Sequence, residues 1–134
     1  MKQELIRDEG IQYSAYQDSL GYLTIGVGRL IDQKKGGHLS QDEVDFLLVN
    51  DIEYALKDIH QESWFLSADT DNRRRALVNM RFQLGPSGIR TFKNSLSLLT
   101  QGKFKEAGIE LRKSQWYQQT PVRAERVIRQ IENG

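Results

Sequence analysis

The sequence contains no cysteine, only two prolines and two histidines, and no apolar run near the roughly 20 residues that a bilayer span needs. Without cysteine there is no disulfide framework, no thiolate metal site and no cysteine nucleophile. His38 and His60 have no partner histidine at metal-ligand spacing and read as surface side chains. The N-terminal stretch MKQELIRDEG has a lysine but no apolar stretch behind it, so it is not a secretory signal. A soluble product made in a cytoplasm is expected, with no stable membrane insertion. Gly26-Val27-Gly28 lacks the Lys-Ser/Thr that would complete a phosphate-binding loop. Repeats and low-complexity tracts are absent as well.

What is present is a chain of 134 residues with a net charge of +1. That length fits one domain, 1–134, at most divided into two small lobes sharing a core. The near-neutral total hides a split. Residues 1–67 carry 6 Lys+Arg against 12 Asp+Glu, whereas residues 68–134 carry 13 against 6. A basic half of this size points to an anionic partner, either nucleic acid or an acidic polymer. Composition does not choose between them.

The pattern of residues predicts an α+β chain. Residues 2–9 read as a short helix stopped by Gly10, at the position where a left-handed residue is least costly. Between Tyr13 and Ile31 the β-formers Tyr16, Tyr22, Thr24, Ile25 and Val27 accumulate. Asp18-Ser19-Leu20-Gly21 has the form of a type I turn. A hairpin follows, with a third strand after Gly28. Lys34-Lys35-Gly36-Gly37 reads as a loop, and Ser40 with Glu43 as a capping box. The helix opened there runs to about His60. A second helix, Asn72–Leu84, carries Leu77, Val78, Met80, Phe82 and Leu84 on more than one face, so it is expected to be central and buried. Gly85-Pro86 should end it. Helical patterns at 92–100, 103–113 and 121–131 complete the chain, with Thr120-Pro121 as cap and first turn of the last.

Glu9 ends the first helix and Asp18 sits at the hairpin tip, with Thr24 six residues further on the returning strand. Two carboxyl groups across a cleft are what glycosidic cleavage needs. One protonates the leaving oxygen while the other orients water or attacks the sugar. The negative end of a helix dipole suits a carboxyl that holds a proton, and a solvated turn suits one that ionises. A threonine hydroxyl beside the second carboxyl can help hold the water. Each residue also has an ordinary use: Asp opens turns, Glu ends helices, and Thr favours strands. Spacing alone does not decide.

The longer string does. Asp8-Glu9-Gly10, Tyr16-Gln17-Asp18, Gly21-Tyr22 and Thr24-Ile25-Gly26-Val27-Gly28 resemble the signature of the phage lysozymes of glycoside hydrolase family 24. Asn79–Gly85, Phe92–Leu96 and Ser114–Ala124 are similar, in the same order, to the T-even members of that family. The resemblance covers nearly the whole chain. It implies a lysozyme-like fold with a small N-terminal β-hairpin lobe, a larger all-helical lobe and a cleft between. The lobes would be 11–60, including the linking helix, and 61–134, joined by helix 1–9.

Carried over residue by residue, the resemblance makes Glu9 the general acid and Asp18 the group that activates water, with Thr24 beside it. Leu30, Phe82, Gln83, Leu84, Thr120 and Arg123 would line the substrate, with Arg123 pairing with the acid. The reaction implied is hydrolysis of the β-1,4 bond between N-acetylmuramic acid and N-acetylglucosamine in peptidoglycan, with inversion. Acid–base chemistry on an acetal uses only carboxylates and water, so no metal and no organic cofactor is expected. The chain departs from its relatives at Arg29, where they carry a histidine; a pair between Arg29 and Asp51 is expected in its place. The stretch from Arg29 to Ser40 is shortened. Arg81 stands where they have an apolar residue and is expected to reach the surface.

Three kinds of function follow. The first is an endolysin-type muramidase, monomeric, held in the host cytoplasm until a holin opens the way to the wall. A tail-associated lysozyme would share its catalytic residues, and a free chain of this length favours the endolysin. The second is a lytic transglycosylase, against which Asp18 and Thr24 argue. The third is a non-catalytic wall-binding relative. Nucleic-acid binding through Arg73-Arg74-Arg75 is not expected, because such a run is ordinarily a solvated helix face and no reader motif accompanies it.

Overall fold

Asp18 organises the N-terminal residues. Its carbonyl accepts the Gly21 amide at 3.0 Å and its amide donates to the Tyr22 carbonyl at 2.8 Å, so the chain reverses where the turn residues predict. The computed structural model describes residues 1–31 and 37–134; the expected loop at Lys34-Lys35-Gly36 lies outside the described residues. Two compact units are found, Met1–Asp45 and Phe46–Gly134.

The first unit holds α1 (Lys2–Glu9), β1 (Gln12–Gln17), β2 (Leu23–Gly26), β3 (Arg29–Leu30) and the start of α2 (Gln41–Ile59). The strands form an antiparallel sheet in the order β1-β2-β3. Tyr16 pairs with Thr24, Thr24 with Leu30 and Ile25 with Arg29, while an irregularity separates Gln12 from Tyr16. Helix α2 opens on the expected capping box: Glu43 Oε1 accepts the Ser40 amide and Ser40 Oγ accepts the Glu43 amide. Thr24, at 2% exposure, is a buried side chain in the middle of this sheet.

The second unit continues α2 and adds α3 (Ser63–Leu66), α4 (Asp71–Ile89), α5 (Lys93–Thr100), α6 (Phe104–Arg112), α7 (Gln115–Gln119) and α8 (Pro121–Asn133). Its core is continuous from Ile59 through Trp64, Leu77, Met80, Leu99, Leu111, Trp116 and Ile128. Helix α8 contributes Ala124, Val127, Ile128 and Ile131 from one face, the spacing that a helix packed on one side requires.

Several expectations are corrected here. Gly85, at φ 78 and ψ 173, breaks α4 as expected, but a further turn resumes at Pro86 and carries the buried Ile89. Helix α4 is not buried all round: Phe82 is 43% exposed while Leu77 and Met80 are enclosed. Arg81 does not snorkel outward; it is buried at 6% exposure and donates through Nε to Asp58 Oδ2 at 2.6 Å. A buried guanidinium persists because a carboxylate meets it. The Arg73–Arg75 run is not one solvated face either. Arg73 donates to the carbonyls of Ile131 and Glu132 at the end of α8 and lies over the Phe104 ring at 3.9 Å. Thr120 precedes Pro121 as expected, yet its hydroxyl donates to the Trp116 carbonyl at 3.1 Å rather than capping α8.

Candidate active site

The first unit brings the three predicted catalytic positions onto one small scaffold. Glu9 is the last residue of α1, which Gly10 terminates with φ 75 while its amide closes on the Ile6 carbonyl at 2.8 Å. The Glu9 side chain lies directly over Gly28. A methyl group at Gly28 would stand 2.8 Å from Glu9 Oε2 and 3.1 Å from its carboxyl carbon. Only glycine leaves that space, and the φ of 66 at Gly28 is itself one that glycine adopts without steric cost. The turn between β2 and β3 is therefore a seat for the carboxyl group of Glu9.

Asp18 is held by its own turn. Its Oδ1 accepts the backbone amides of Leu20 and Tyr22, each at 2.9 Å. These two bonds fix the carboxylate plane and do not involve Oδ2. The ordinary use of Asp as a turn former and its chemical use thus coincide: the turn aims the group. Thr24 follows on β2, buried, with Oγ1 donating to the Tyr22 carbonyl at 3.1 Å. A hydroxyl that donates to a carbonyl still has lone pairs to accept a hydrogen bond from water. Leu30 is half-buried on β3 opposite Thr24.

The second unit assembles most of the remaining predicted positions. Gln83 Oε1 accepts the indole Nε1–H of Trp116 at 3.0 Å, and Gln83 Nε2 donates to Thr120 Oγ1 at 3.4 Å. Trp116 is buried and meets Phe92 edge-on at 6.0 Å between ring centres. Its indole therefore fixes which way the Gln83 amide points. Arg123 donates through Nε and Nη2 to Asn79 Oδ1 at 3.1 and 2.8 Å. Phe82 and Arg123 line one groove of about 680 Å³ together with Leu48, Ile52, Leu56 and Val78. Leu84 instead packs against the core.

A phage lysozyme family profile matches residues 7–130, which takes in both units and every site position named above. The chain belongs to the phage lysozyme family. It is 35% identical to the probable T4-type lysozyme 2 of Dictyostelium discoideum, covering all of this chain and 94% of that protein. The alignment runs over 160 positions against the 134 residues here, so that relative carries residues this chain lacks. Identity to the pre-baseplate central spike protein Gp5 of Enterobacteria phage T4 is 32%, over all of this chain and 28% of the spike protein. The peptidoglycan hydrolase gp36 of Pseudomonas phage phiKMV is 26% identical over 97% of this chain and 15% of its own length.

Within this phage lysozyme, sequence reasoning missed three supporting residues. Gly28 is legible as part of the family string and as the start of the β3 return, but its closeness to Glu9 has no local signal. Trp116 and Asn79 act on Gln83 and Arg123 across 33 and 44 positions of chain, beyond any local pattern. Within the first unit, Arg29 Nη1 pairs with Glu43 Oε2, the residue that closes the capping box of α2. Among the described residues, no group of three or more His, Cys, Asp or Glu is placed to hold a metal ion. No described helix is long and apolar enough to cross a membrane.

Proposed function

We propose that this chain is an endolysin-type muramidase that hydrolyses the β-1,4 bond between N-acetylmuramic acid and N-acetylglucosamine in bacterial peptidoglycan. Glu9 is the general acid, protonating the leaving oxygen. Asp18 is the base that activates water, and Thr24 Oγ1 accepts from that water. The reaction inverts the anomeric centre, with no metal or organic cofactor. Phe82, Gln83, Thr120, Arg123 and Leu30 contact the glycan. The observation that carries the reading is the placement of Glu9 and Asp18: one carboxyl seated on a glycine that leaves it room, the other clamped through a single oxygen by two backbone amides.

The protein acts as a monomer. It is made in the host cytoplasm and reaches the wall through a holin pore, so that its activity ends in host lysis. The basic second half of the sequence favours approach to an anionic wall. The likeness to the spike protein supports a second setting for the same chemistry, local opening of the wall on entry.

Clearing of a suspension of purified peptidoglycan tests the chemistry. Glu9→Gln should abolish clearing while the circular dichroism spectrum stays that of the wild type. Products of the wild-type reaction, weighed by mass spectrometry, should carry one added water per bond broken. An anhydro product would replace hydrolysis by transglycosylation, and clearing by Glu9→Gln near the wild-type rate would remove Glu9 from the mechanism. Wall binding without clearing by the wild type would mark a non-catalytic relative.

A further inference from the structure

The turn that seats Glu9 is built from residues that hold it weakly. Gly26 and Gly28 both lie at positive φ, 70 and 66, and each leaves the backbone more conformational freedom than any other residue would. On one side β2 pairs with β1 at Leu23, Thr24 and Gly26. On the other, β3 is two residues long and meets β2 through the pairs Thr24–Leu30 and Ile25–Arg29. One further bond runs from the Ile31 amide to the Leu23 carbonyl. Such a short edge gives little resistance to movement of Gly28 relative to α1.

Arg29, the residue next to Gly28, supplies a second hold. Its guanidinium pairs with Glu43 Oε2, while Glu43 Oε1 accepts the Ser40 amide at 2.9 Å. The two oxygens of one carboxylate thus connect β3 to the first turn of α2. We propose that Arg29 and Glu43 are positioning residues for the general acid: the pair fixes the β2–β3 turn, and the turn fixes the Glu9 carboxyl. The proposal rests on the reading of Glu9 as the acid.

Two features separate this role from simple stabilisation. The side chains are 45% and 35% exposed, and pairs so open to water add little to global stability. The Glu9 carboxyl, by contrast, lies so near Gly28 that a single added methyl there would stand 2.8 Å from its Oε2, so the course of the turn sets the space open to it. Misplacement by about one ångström lowers turnover by as much as about a hundredfold when it affects a reacting group. The effect belongs in kcat, because the ground-state contacts of the glycan are not altered.

The test measures kcat, KM and melting temperature on soluble glycan fragments of peptidoglycan for Arg29→Met, Glu43→Gln and the double variant. Glu43→Gln keeps an acceptor for the Ser40 amide and removes only the charge, so it carries the comparison even if Arg29→Met folds poorly. Each single variant should lower kcat about tenfold with KM unchanged within about twofold. The double variant should fall no further than either single one, and melting should move by less than about 3 °C. Arg29→Lys, which retains the cation, should recover most of kcat. Unchanged kcat in both single variants, or losses that multiply in the double, would overturn the proposal. Glu9→Gln is measured alongside. Activity surviving in that variant would remove the acid assignment itself, whatever the Arg29 variants do.

Discussion

Arg81 and Asp58 form a buried ion pair, with Arg81 Nε 2.6 Å from Asp58 Oδ2. Arg90 joins the same carboxylate at 3.0 Å and reaches Glu62 Oε1 at 3.2 Å, so α2, the start of α3 and both parts of α4 meet at one charged centre. Arg81 is enclosed, whereas Asp58 keeps about a quarter of its surface. Removing the carboxylate leaves a buried cation with no counter-charge. Asp58→Ala should therefore lower unfolding stability by about 3 kcal/mol, near the bottom of the range for broken buried pairs. Arg81→Met combined with Asp58→Leu should cost less than Asp58→Ala alone, because neither charge is then stranded. Urea unfolding of the three proteins decides it; a double variant weaker than Asp58→Ala would contradict the account.

Arg112 ties α6 to α8 by holding Glu125 and Glu132 together, with bonds of 3.0 and 2.7 Å. Its guanidinium is the main reason Glu125 is lowered to about 2, and it lowers Glu132 as well. Asp58 is lowered in the same way, first by Arg90 and then by Arg81. A carboxylate whose folded value is depressed adds stability above its unfolded value, and loses it as pH falls through the folded one. Melting temperature should thus stay level from pH 7 to about 5 and then fall steadily towards pH 2. Arg112→Met should lower the plateau and flatten the acid limb, since the two glutamates then titrate nearer their ordinary range. An acid limb of unchanged slope in that variant would mean that other carboxylates set it.

How far the residues foretold the structure follows from the range of the interactions. The Asp18 turn, the Ser40–Glu43 capping box and the helix starts are local, and each appears where its residues predict. The β2–β3 return after Gly28 was equally legible. Helices α3 and α7 were not, because each is five residues or fewer and is set by burial of Trp64, Phe65 and Trp116 rather than by propensity. The burial of Arg81 is hidden for a related reason: its partner Asp58 is 23 positions away, and a lone arginine among apolar residues gives no hint of it. At the site, residue types were readable from the family string. The seat under Glu9 and the orientation of Gln83 exist only once distant segments meet.

Gly28 and Gly26 provide a matched pair. Both sit at positive φ, but a methyl group at Gly26 meets nothing within 4 Å, whereas one at Gly28 meets the Glu9 carboxyl at 2.8 Å. Alanine at either position carries a similar backbone penalty of about 1 kcal/mol. Their stabilities should therefore fall alike. Their activities should not: Gly28→Ala displaces the acid and should lower kcat about tenfold or more, while Gly26→Ala should stay within about threefold of wild type. Melting temperatures and glycan-fragment kinetics on the two variants make the comparison. Equal losses of kcat would show that backbone strain, not the carboxyl group, is responsible.

Trp116 offers the corresponding test in the helical unit. Its indole N–H donates to Gln83 Oε1 at 3.0 Å, and the Gln83 amide nitrogen is thereby turned towards Thr120. Trp116→Phe keeps an aromatic ring but removes the donor and leaves a half-buried acceptor to find water. The loss should be about 1 kcal/mol in stability. If Gln83 contacts the glycan, its freed amide should raise KM roughly threefold to tenfold with a smaller change in kcat, the signature of lost ground-state binding. Phe92→Leu is the control. It removes the edge-on ring contact at 6.0 Å and weakens the same core, yet leaves the indole–amide bond in place. Its KM should stay near the wild-type value even where its melting temperature falls as far. Matching KM shifts in the two variants would assign the effect to loosened packing and take the Gln83 amide out of glycan recognition.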